Sequence, residues 1–543
     1  MMDGQKLKVG LLINSDRVNA WWLEIVRKIE DSDFAEIVVV VQAENPQKFT
    51  GDTSSWLFSK FRKFENKTTK LNPNAFAQKS LQKELKNAAI VTIQPVLKED
   101  VFKLRNDDLE RLKAFGADLF LQLGFQNVQT GLSAIAKFGV WTFQIGNSPA
   151  VPKAMGGVWE VMQNECSLRI ALKTVELNDQ PKEIVLYESF STVVREINRS
   201  LNMACWKAAS FVPRVLKRMR NNVDYFNDLF AGSEQGNTNA QVPSPGNARV
   251  LGYMIGRSAA FISRKIRKFS VKEQWSLEIA EISDGITNLK GTDFRRIQPP
   301  SDRFWADPCL FTHNGKRYIF LEELIYQKGK AHISVMELQA DGKWSDPKAV
   351  LKKDYHLSYP FIFEDRGEIY MIPETSGNKT IELYRAKNFP DEWEFQMNLM
   401  ENLHAVDATV YFKDEKYWLF VNIRENKGAS AWDELYLFYA DNLLTTDWKP
   451  HPLNPVVSDV RTSRPAGRLF VENGKLYRPS QDCSCTYGYA TNINEVLMLN
   501  ENDYREKQVK KLLPDWNDRL KAVHTLSVDD GMAVIDARYI IKK

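Results

Sequence analysis

Asp307-Pro-Cys-Leu-Phe311 recurs along the chain in altered form, as Tyr359-Pro-Phe-Ile-Phe363 and as Asp407-Ala-Thr-Val-Tyr411. Four residues after the last aromatic of each copy comes a turn residue: Gly315, Gly367 and Glu415. Three residues further on comes a second aromatic: Tyr318, Tyr370 and Trp418. An apolar run, a turn and a second apolar run together predict a β-hairpin in each copy.

The repeat continues toward the C-terminus. A fourth copy, Arg464-Pro-Ala-Gly-Arg-Leu-Phe470, holds two extra residues before its Phe, and a weaker fifth copy begins at His524. The five copies start 52, 48, 57 and 60 residues apart. Units of about 40–60 residues, each a hairpin with outer strands, are typical of propeller blades. We therefore predict that residues 273–543 form an all-β, five-bladed β-propeller.

Blade geometry predicts that two sets of residues meet at one rim of this propeller. The residue before the innermost strand and the residue after its hairpin partner lie at the same end of a blade. Nearly all of them are polar or ionisable: Asp307, Tyr359, Asp407, Arg464 and His524, with Glu322, Glu374, Asn422, Gln481 and Arg538. Converging carboxylates shift one another's pKa values, as acid–base chemistry requires. The structural alternative is that these residue types only terminate strands.

The two arginines of the rim are expected to face the carboxylates of Asp307 and Asp407. Because an unpaired buried charge is costly, Arg464 and Arg538 must either pair with those carboxylates or meet an anionic ligand. The forked guanidinium fits the oxygens of a carboxylate or a phosphate, which favours an anionic sugar as the ligand. Pairing within the protein is the alternative.

Residues 1–190 have the pattern of an α/β domain. Short apolar runs at 8–14, 37–41, 89–93 and 119–123 predict buried strands, and residues 21–29 carry apolar side chains at helical spacing. Strands that alternate with helices predict a parallel sheet with helices on its faces.

Residues 191–272 predict a basic helical linker, with helices at 195–220 and 251–268 around a flexible, Gly/Ser/Asn/Pro-rich loop at 232–247. The basic residues are Arg214, Lys217, Arg218, Arg220, Arg257, Arg264, Lys265, Arg267 and Lys268, with Trp206, Phe211, Phe261 and Ile266 opposite them. Interfacial membrane helices have this composition, so peripheral membrane contact is one interpretation. The other, which we favour, is a solvated charged face on helices packed between domains.

Composition and charge argue against several classes of protein. Lys and Arg total 73 against 69 Asp and Glu, a net charge of +4 that gives no support to a nucleic-acid partner. No apolar run approaches the roughly 20 residues of a membrane-spanning helix, and the N-terminus lacks the pattern of a signal peptide. Five cysteines, few and odd in number, argue against a disulfide framework and favour the cytoplasm, at the inner membrane surface if the basic helices bind there.

Sequence fingerprints of cofactors and metals are missing. The chain has no P-loop, no Gly-x-Gly-x-x-Gly after the first strand and no Gly-x-Ser-x-Gly elbow. Cys483-Ser-Cys485 has no second cysteine pair, and the six histidines have no metal-type spacing. We therefore predict neither a cofactor nor a metal.

Several stretches of the C-terminal half carry a resemblance to a known family: Phe304-Trp-Ala-Asp-Pro308, His356-Leu-Ser-Tyr-Pro-Phe361, Met371-Ile-Pro-Glu374, Ser463-Arg-Pro-Ala-Gly467 and Gln481-Asp-Cys-Ser484. Together they resemble the propeller domain of glucosamine inositolphosphorylceramide transferases, over about residues 275–540. That domain is in turn similar to the five-bladed glycoside hydrolases of the arabinanase/xylosidase type.

The resemblance to those hydrolases implies roles for individual residues. In them an Asp opening the first blade is the general base, a second Asp tunes and orients, and a Glu is the general acid. Asp307 matches the first Asp and Asp407 the second, whereas Arg464 stands where the Glu is expected. Glu374 or Glu323, from a returning strand, is then the candidate acid. The candidate substrate-binding residues are Trp305, Glu323, Tyr359, Arg464, Gln481, Asp482, His524 and Arg538, and His356 is a further candidate sugar contact.

Residues 138–149 resemble a loop of tetrahydrofolate-dependent formyltransferases, and the runs at 8–14 and 117–124 fit that family's sheet. In the family an Asn and a His of this loop stabilise the oxyanion and move protons. The matching positions carry Thr142 and Gln144, and Gln cannot titrate near neutral pH. The resemblance thus implies a formyltransferase-like fold without formyl transfer, with Asn147, Ser148 and Gly156-Gly157 as candidates for lining a small ligand pocket.

Taken together, these patterns favour a cytoplasmic, carbohydrate-active protein of glycan or glycolipid assembly, as in polysaccharide biosynthesis. Its propeller funnel would bind a sugar, and would transfer or cleave a glycosyl unit. One alternative is a non-catalytic protein that binds or scaffolds glycans, and another is a true glycoside hydrolase. The sequence leaves open whether the chain is an enzyme.

Overall fold

The computed structural model of the protein describes residues 5–44, 55–94, 96–98, 101–124, 131–147, 156–175, 184–222, 224–232 and 245–543. The chain forms two compact units: Met1–Arg257 with Asn426–Ser430, and Ser258–Glu425 with Ala431–Lys543. Within the described ranges, no helix is both long enough and apolar enough to cross a membrane.

The first unit contains a central sheet with helices around it. Its strands are β1 (Leu7–Ile13), β2 (Arg17–Asn19), β3 (Ala35–Ala43), β4 (Gln78–Ser80), β5 (Ala89–Ile93), β6 (Val96–Lys98), β7 (Val101–Lys103), β8 (Leu119–Gln122), β9 (Val140–Ile145), β10 (Ser167–Val175) and β11 (Ile184–Thr192). Its helices are α1 (Ala20–Glu30), α2 (Trp56–Thr68), α3 (Asn106–Lys113), α4 (Val158–Gln163), α5 (Ile197–Ala208), α6 (Phe211–Asn221) and α7 (Tyr225–Gly232), and α8 (Asn247–Ser270) follows them.

The central sheet has the strand order β11-β10-β9-β8-β1-β3-β5. Strands β9, β8, β1, β3 and β5 run parallel, whereas β10 and β11 are antiparallel at one edge. The apolar runs that predicted four strands coincide with β1, β3, β5 and β8, whose side chains form much of two hydrophobic clusters. Continuous apolar runs suit parallel strands because helices cover such sheets. The predicted parallel α/β sheet is confirmed; the closer likeness to formyltransferases stays a prediction.

Strand β9 lies where the formyltransferase resemblance implied a loop. Residues 140–145 pair with β8 on one side and with β10 on the other. Trp141 at the centre of the strand is fully buried, and its ring N–H donates a hydrogen bond to the Phe138 carbonyl at 2.9 Å. The apolar side chains of this stretch thus fill the core of the sheet.

Part of the region predicted as a linker packs into the first unit. The chain forms α5 and α6 in place of one helix over 195–220, with the break at Ala209 and Ser210. Pro213 explains the break, because a proline is tolerated in the first turn of a helix but not in its interior. Trp206 and Phe211 are buried in the core of this unit, which extends past residue 190. The second predicted helix coincides with α8, whereas residues 233–244 of the predicted loop lie outside the described residues.

The second unit is a five-bladed β-propeller, as predicted, made of five four-stranded sheets. The blades are defined by their strands. Blade 1 contains β14 (Arg303–His313), β15 (Lys316–Ile325), β16 (Ala331–Glu337) and β17 (Lys348–Leu351), and blade 2 contains β18 (Ser358–Asp365), β19 (Glu368–Glu374), β20 (Thr380–Asn388) and β21 (Glu392–Glu401). Blade 3 contains β22 (Ala405–Lys413), β23 (Lys416–Ile423), β24 (Leu435–Ala440) and β25 (Lys449–Pro450), and blade 4 contains β26 (Phe470–Glu472), β27 (Lys475–Asp482), β28 (Ala490–Leu499) and β29 (Tyr504–Leu512). Blade 5 combines β12 (Val271–Glu281) and β13 (Arg295–Ile297), which precede blade 1 in the chain, with β30 (Leu520–Asp529) and β31 (Met532–Lys542).

The inner hairpins of all five blades turn through two residues with positive φ. The pairs are Asn314-Gly315, Arg366-Gly367, Asp414-Glu415, Asn473-Gly474 and Asp530-Gly531. Two-residue hairpin turns of type I′ require this conformation, because their twist matches that of the strands. Four of the five turns use Gly at the second position, which is why the turn signal is visible in the sequence.

Blade 5 is closed by the two ends of the propeller. Strand β12 pairs with β31 from Val271–Lys542 to Glu281–Met532, and β13 pairs with β12 on the outside. The fifth sequence copy supplies only the inner hairpin of its blade. Hydrogen bonding between the first and last strands thereby ties the ends of the propeller together.

The described cysteines are of two kinds. Cys205, Cys309 and Cys483 are free and buried, whereas Cys166 and Cys485 are disulfide-bonded. The argument from cysteine number, which spoke against disulfides, therefore fits three of the five cysteines and fails for Cys166 and Cys485.

Candidate functional site

The first strands of three blades each contain a residue in the left-handed region of backbone conformation. Asp307, Tyr359 and Asp407 have φ angles of 48°, 45° and 56°, and each lies in a β-bulge between the first two strands of its blade. In blade 4, Gly467 has a φ of 140°, and a Cβ there would lie 2.0 Å from the Leu526 carbonyl oxygen. Left-handed non-glycine residues cost about 1–3 kcal/mol each and cluster at functional sites. Bulges of this kind re-aim side chains away from the sheet pattern.

Asp307 connects blade 1 to blades 2 and 5. Its Oδ2 accepts a hydrogen bond from the Tyr359 backbone N–H at 3.1 Å, and its Oδ1 lies 3.1 Å from Nε2 of His524. Nδ1 of His524 lies 2.7 Å from Oδ2 of Asp536. Burial alone would lower the pKa of His524, but the two carboxylates outweigh it and raise that pKa to about 10. Burial alone would raise the pKa of Asp307, and the His524 charge reverses this and lowers it.

Among the described residues, Asp307, His524 and Asp536 form the one group whose ligand-type atoms lie close enough to hold a metal ion, within 4.8 Å of one another. A histidine that binds a metal must offer a neutral ring nitrogen. Both ring nitrogens of His524 lie within 3.1 Å of a carboxylate oxygen, and its raised pKa keeps the ring protonated at neutral pH. The arrangement therefore fits an imidazolium held between two aspartates.

Asp407 is held by blade 4. Nε of Arg464 donates to its Oδ2 at 2.5 Å and Nη2 to its Oδ1 at 3.2 Å, while the Gln481 amide donates to Oδ2 at 2.9 Å. All three side chains are buried. Burial raises the pKa of Asp407 to about 6, with Glu374 and Asp307 acting in the same direction and Arg464 against it. Arg464 thus pairs inside the protein, the alternative that the sequence analysis ranked second.

Two further carboxylates lie near these aspartates. Oε1 of Glu322 is 3.1 Å from Nε2 of His356, whose side chain is 46% exposed. Burial and the Asp307 charge raise the pKa of Glu322 to about 7 despite that histidine. Glu374 accepts hydrogen bonds from Ser358 at 3.2 Å and Ser376 at 2.5 Å, and Arg464 Nη2 lies 4.0 Å from its Oε2.

Glu323 and Trp305 lie away from this cluster. Successive side chains of a strand point to opposite faces, so Glu323 lies on the other face of β15 from Glu322. The Glu323 carboxylate accepts hydrogen bonds from Arg303, Trp305 and Ser334, and Nε2 of His332 lies 3.2 Å away. Burial alone would raise the pKa of Glu323, but these partners lower it to about 2. Trp305 belongs to a buried hydrophobic cluster. The geometry gives both residues a structural part in blade 1.

Asp482 and Arg538 also have partners elsewhere. Asp482 is buried, forms an ion pair with Lys511 and accepts a hydrogen bond from the Ser484 backbone at 2.8 Å. Arg538 lies 3.4 Å from Glu273 and donates to Thr486 at 3.1 Å. The bulge of blade 5 spans His524 and Thr525, one residue nearer its hairpin turn than in blade 1. Before the bulge, Val523 pairs with Ala537 in blade 5 as Ala306 pairs with Glu322 in blade 1, so Arg538 is displaced from its predicted position. Asp536 lies opposite the bulge, next to His524.

Tyr487 is a residue of the cluster that the sequence analysis did not single out. Its ring lies 4.9 Å from the Arg464 guanidinium carbon and 5.3 Å from the His524 ring. It lies between β27 and β28, outside the repeated hairpin, so the repeat carries no signal for it. Asp536 was missed because the position counted from the turn is Arg538.

A further basic residue, Arg424, lies next to His404, a histidine on whose pKa Glu374 and Arg464 of this cluster act. Arg424 follows β23, and its backbone N–H donates to the His404 carbonyl at 3.1 Å. Burial lowers the pKa of Arg424 with no acid acting against it, and within the described ranges its guanidinium forms no ion pair. Nδ1 of His404 is buried without a hydrogen-bond partner. Burial first, and then Arg424, lowers the pKa of His404, on which Glu374 and Arg464 also act.

The candidate ligand-binding residues of the first unit form hydrogen bonds and packing contacts in and beside its central sheet. Thr142 is buried in β9, and Gln144 donates to the Gly146 carbonyl at 3.4 Å. The Asn147 amide donates to the Ser167 carbonyl at 3.1 Å and accepts from the Arg169 backbone at 2.7 Å. Gly156 packs against the Ile145 carbonyl, where a Cβ would lie 1.9 Å away, and Ser148 lies outside the described residues.

Residues 289–526, which span blades 1 to 4 and part of blade 5, match a family model described as glucosamine inositolphosphorylceramide transferase 1, N-terminal. The propeller resembles this transferase family. The resemblance that the sequence stretches indicated is thereby confirmed for the C-terminal half of the chain.

Curated relatives of that name are similar to the same part of the chain. The one from Arabidopsis thaliana is 33% identical over 209 residues, covering 38% of this chain and 27% of the relative. The one from Oryza sativa subsp. japonica is 33% identical over 224 residues, covering 39% and 30%. The chain thus spans less than a third of the length of these relatives. A solved catalytic domain of a GH62 α-L-arabinofuranosidase from Coprinopsis cinerea aligns at 10% identity with a TM-score of 0.34, covering 49% of this chain and 97% of that domain.

Proposed function

We propose that the chain is a carbohydrate-active protein of glycan or glycolipid assembly, whose propeller binds a sugar at the centre of the blades. The observation that carries this proposal is the cluster of ionisable side chains drawn from all five blades: Asp307 and Glu322, Glu374, Asp407, Arg464, and His524 with Asp536. Polar groups that converge at the centre of a fold, with pKa values shifted by burial and by each other, are typical of binding and catalytic sites.

The similarity to glucosamine inositolphosphorylceramide transferases supports a sugar as the ligand. The name of these relatives contains an amino sugar and a phosphorylated inositol lipid. We propose the same chemistry here, an amino sugar or sugar phosphate that belongs to a glycolipid or its precursor.

Arg424 supports an anionic group on that sugar. Arg464 is the less suitable anion site, because Asp407 already pairs with it and accepts hydrogen bonds from its Nε and Nη2. Arg424 has no such carboxylate, and a phosphate or carboxylate oxygen is the partner that a guanidinium binds best. Glu374, with 13% of its side chain exposed, would accept hydrogen bonds from sugar hydroxyl or ammonium groups.

The test compares a sugar with its phosphate. We expect glucosamine 1-phosphate to raise the melting temperature of the protein, because a ligand that binds only the folded state stabilises it, and glucosamine to raise it less. Arg424→Gln should weaken binding of glucosamine 1-phosphate by roughly tenfold to a hundredfold, the value of a charged hydrogen bond of about 1.5–3 kcal/mol. Glu374→Gln should weaken both ligands.

Arg385→Gln is the matched control for this test. Arg385 pairs with Glu394 on an outer strand, where 40% of its side chain is exposed, so its loss removes one positive charge without touching the cluster. If Arg424→Gln binds glucosamine 1-phosphate as tightly as Arg385→Gln does, the anion site is elsewhere. If no sugar or sugar phosphate shifts the melting temperature, the proposal of a sugar site fails.

A catalytic role is a second candidate, favoured by one observation. Asp307 has a lowered pKa, whereas Glu322 close to it has a pKa of about 7. A carboxylate that stays ionised beside one that holds a proton near neutral pH is the arrangement of a base and an acid in glycosidic chemistry. Transfer or hydrolysis of a glycosyl unit by wild type, lost in Glu322→Gln with sugar binding intact, would support it. Equal turnover by both proteins would remove Glu322 from any mechanism.

A further inference from the structure

Helix α8 (Asn247–Ser270) exposes a continuous apolar stripe. Its large apolar side chains recur at intervals of three, four and seven residues, which places them on one face of a helix. They are exposed by 51% to 85% of their area: Leu251, Ile255, Ile262, Ile266 and Phe269. Soluble proteins expose single apolar residues everywhere, but a row of five on one helix marks a surface that binds something.

In the first part of α8, up to Arg257, the opposite face packs within the first unit. Val250 is fully buried in a hydrophobic cluster that it shares with α2. The Tyr253 ring meets the Phe61 ring edge-on at 5.6 Å, and Arg257 Nη1 lies 2.9 Å from Oε1 of the buried Glu65. Because these contacts hold one side of the first part of the helix, Leu251 and Ile255 on its other side are exposed.

The charge of α8 has one sign. The helix contains six basic residues and no acidic one: Arg249, Arg257, Arg264, Lys265, Arg267 and Lys268. The ammonium group of Lys265 lies 5.0 Å from the ring centroid of Phe261, which is itself 58% exposed. Positive charge beside an exposed apolar stripe complements a surface that offers both negative charge and an apolar interior.

Helix α2, which packs against α8, repeats the pattern. Trp56 and Phe64 are each 65% exposed, and the Lys60 ammonium lies 4.2 Å from the Trp56 ring. Lys63 and Lys67 add two more positive charges to this helix. Aromatic and basic side chains exposed together are characteristic of helices that lie in the interface of a bilayer.

We propose that α8, supported by α2, binds the surface of an anionic lipid membrane, with the apolar stripe inserted at the level of the head groups. Acidic lipid head groups attract the basic residues, and the acyl chains receive the apolar side chains, so a bilayer satisfies both features of the helix. The proposal does not rest on sugar binding, since it concerns only residues outside the propeller centre.

Vesicle sedimentation tests the proposal with the full chain. Wild type should sediment with vesicles of equimolar phosphatidylcholine and phosphatidylserine, much less with phosphatidylcholine alone, and less again in high salt, which screens the charges. The triple variant Ile262→Gln, Ile266→Gln, Phe269→Gln should lose at least about tenfold in vesicle affinity, because it removes most of the inserted apolar area.

The matched control changes three equally exposed apolar residues on the propeller, Phe412→Gln, Val471→Gln and Leu497→Gln, which are 52%, 60% and 55% exposed. It should bind vesicles as wild type does. The single variant Phe269→Gln, at the most exposed position of the stripe, guards against misfolding of the triple variant and should itself weaken binding severalfold.

Three results would overturn the proposal. Wild type that does not sediment with the acidic vesicles excludes a membrane. Equal vesicle binding by the stripe variant and the control removes the stripe from the contact. A wild-type dimer that becomes monomeric in the stripe variant, with no vesicle binding by either, assigns the stripe to a second copy of the chain.

Discussion

Blades 1 and 3 each place an aspartate with left-handed backbone conformation in an equivalent β-bulge, yet the pKa values of the two carboxylates are shifted in opposite directions. Asp307 faces the protonated ring of His524, which lowers its pKa against the effect of burial. Asp407 faces Arg464, but burial and the nearby Glu374 outweigh the guanidinium, and its pKa rises to about 6. The repeat fixes where each carboxylate lies, and the neighbouring blades determine how it titrates.

The opposite shifts have opposite consequences for stability. A carboxyl with a lowered pKa stabilises the fold above its unfolded pKa and loses that contribution as the pH falls through the folded value. A carboxyl with a raised pKa does the reverse, so Asp407 costs stability as the pH rises from about 4 to about 6. The two halves of the centre therefore respond differently to pH and to loss of their partners.

The largest effect is expected on the blade 3 side, from Arg464→Ala. The change leaves Asp407 buried without its cation, and breaking a buried pair by removing one partner typically costs about 3–5 kcal/mol. The free energy of unfolding, measured with urea at neutral pH, should fall by that amount.

Arg385→Ala is the control, because Arg385 forms a two-pronged contact with Glu394 that is largely exposed. Exposed pairs contribute about 0–1 kcal/mol. If Arg464→Ala costs no more than Arg385→Ala, burial of the Asp407 pair contributes nothing to stability and the contrast between the two sides disappears.

The blade 1 side is tested by His524→Gln, with an intermediate effect that depends on pH. The pKa of His524 is raised from 6.5 to about 10, so its stabilising contribution is complete below about pH 6.5 and is lost as the pH rises through about 10. The variant should be less stable than wild type by about 1.5–3 kcal/mol at pH 6, the value of a hydrogen bond to a charged group. The deficit should shrink by pH 10.

Urea unfolding of both proteins across this pH range checks the expectation, with His313→Gln, beside the hairpin turn of blade 1, as a control. A deficit that stays constant from pH 6 to pH 10 would mean that His524 is not protonated in the folded protein. The Asp307–His524–Asp536 group would then become a credible metal site.

Much of this centre follows from the sequence repeat. The spacing of the five copies, which begin at Asp307, Tyr359, Asp407, Arg464 and His524, was enough to predict five blades, because hairpin turns and apolar strands recur at similar intervals. It also indicated that Arg464, Gln481 and His524 would gather with those residues. Counting residues from the hairpin turn predicts the position of a side chain only where the blades share the same strand register.

The remaining errors have physical causes. The bulge of blade 5 is shifted by one residue, which displaces Arg538 from the predicted position, and Arg538 lies near Glu273. Asp536, opposite that bulge, lies at His524. Glu323 was named as a candidate acid, but strand alternation places it on the face opposite Glu322. Tyr487 lies in a loop without periodicity. In the first unit, α5 and α6 pack their apolar faces into the core, although residues 191–272 were predicted to be a linker. The many basic residues of this region favoured that prediction.

The smallest effect is expected from Glu322→Gln. Burial and the Asp307 charge together raise the pKa of Glu322 to about 7. A raised carboxyl pKa means that ionisation opposes folding, so the penalty accumulates as the pH rises from about 4.5 to about 7. Gln mimics the protonated acid and pays no such penalty. The variant should match wild type at pH 5 and be more stable by about 1 kcal/mol at pH 8, part of the gain being lost with the His356 contact. Urea unfolding at the two pH values, with the exposed Glu364→Gln as control, measures the difference. A variant less stable than wild type at pH 8 would show that the pairing with His356 outweighs the combined effect of burial and the Asp307 charge.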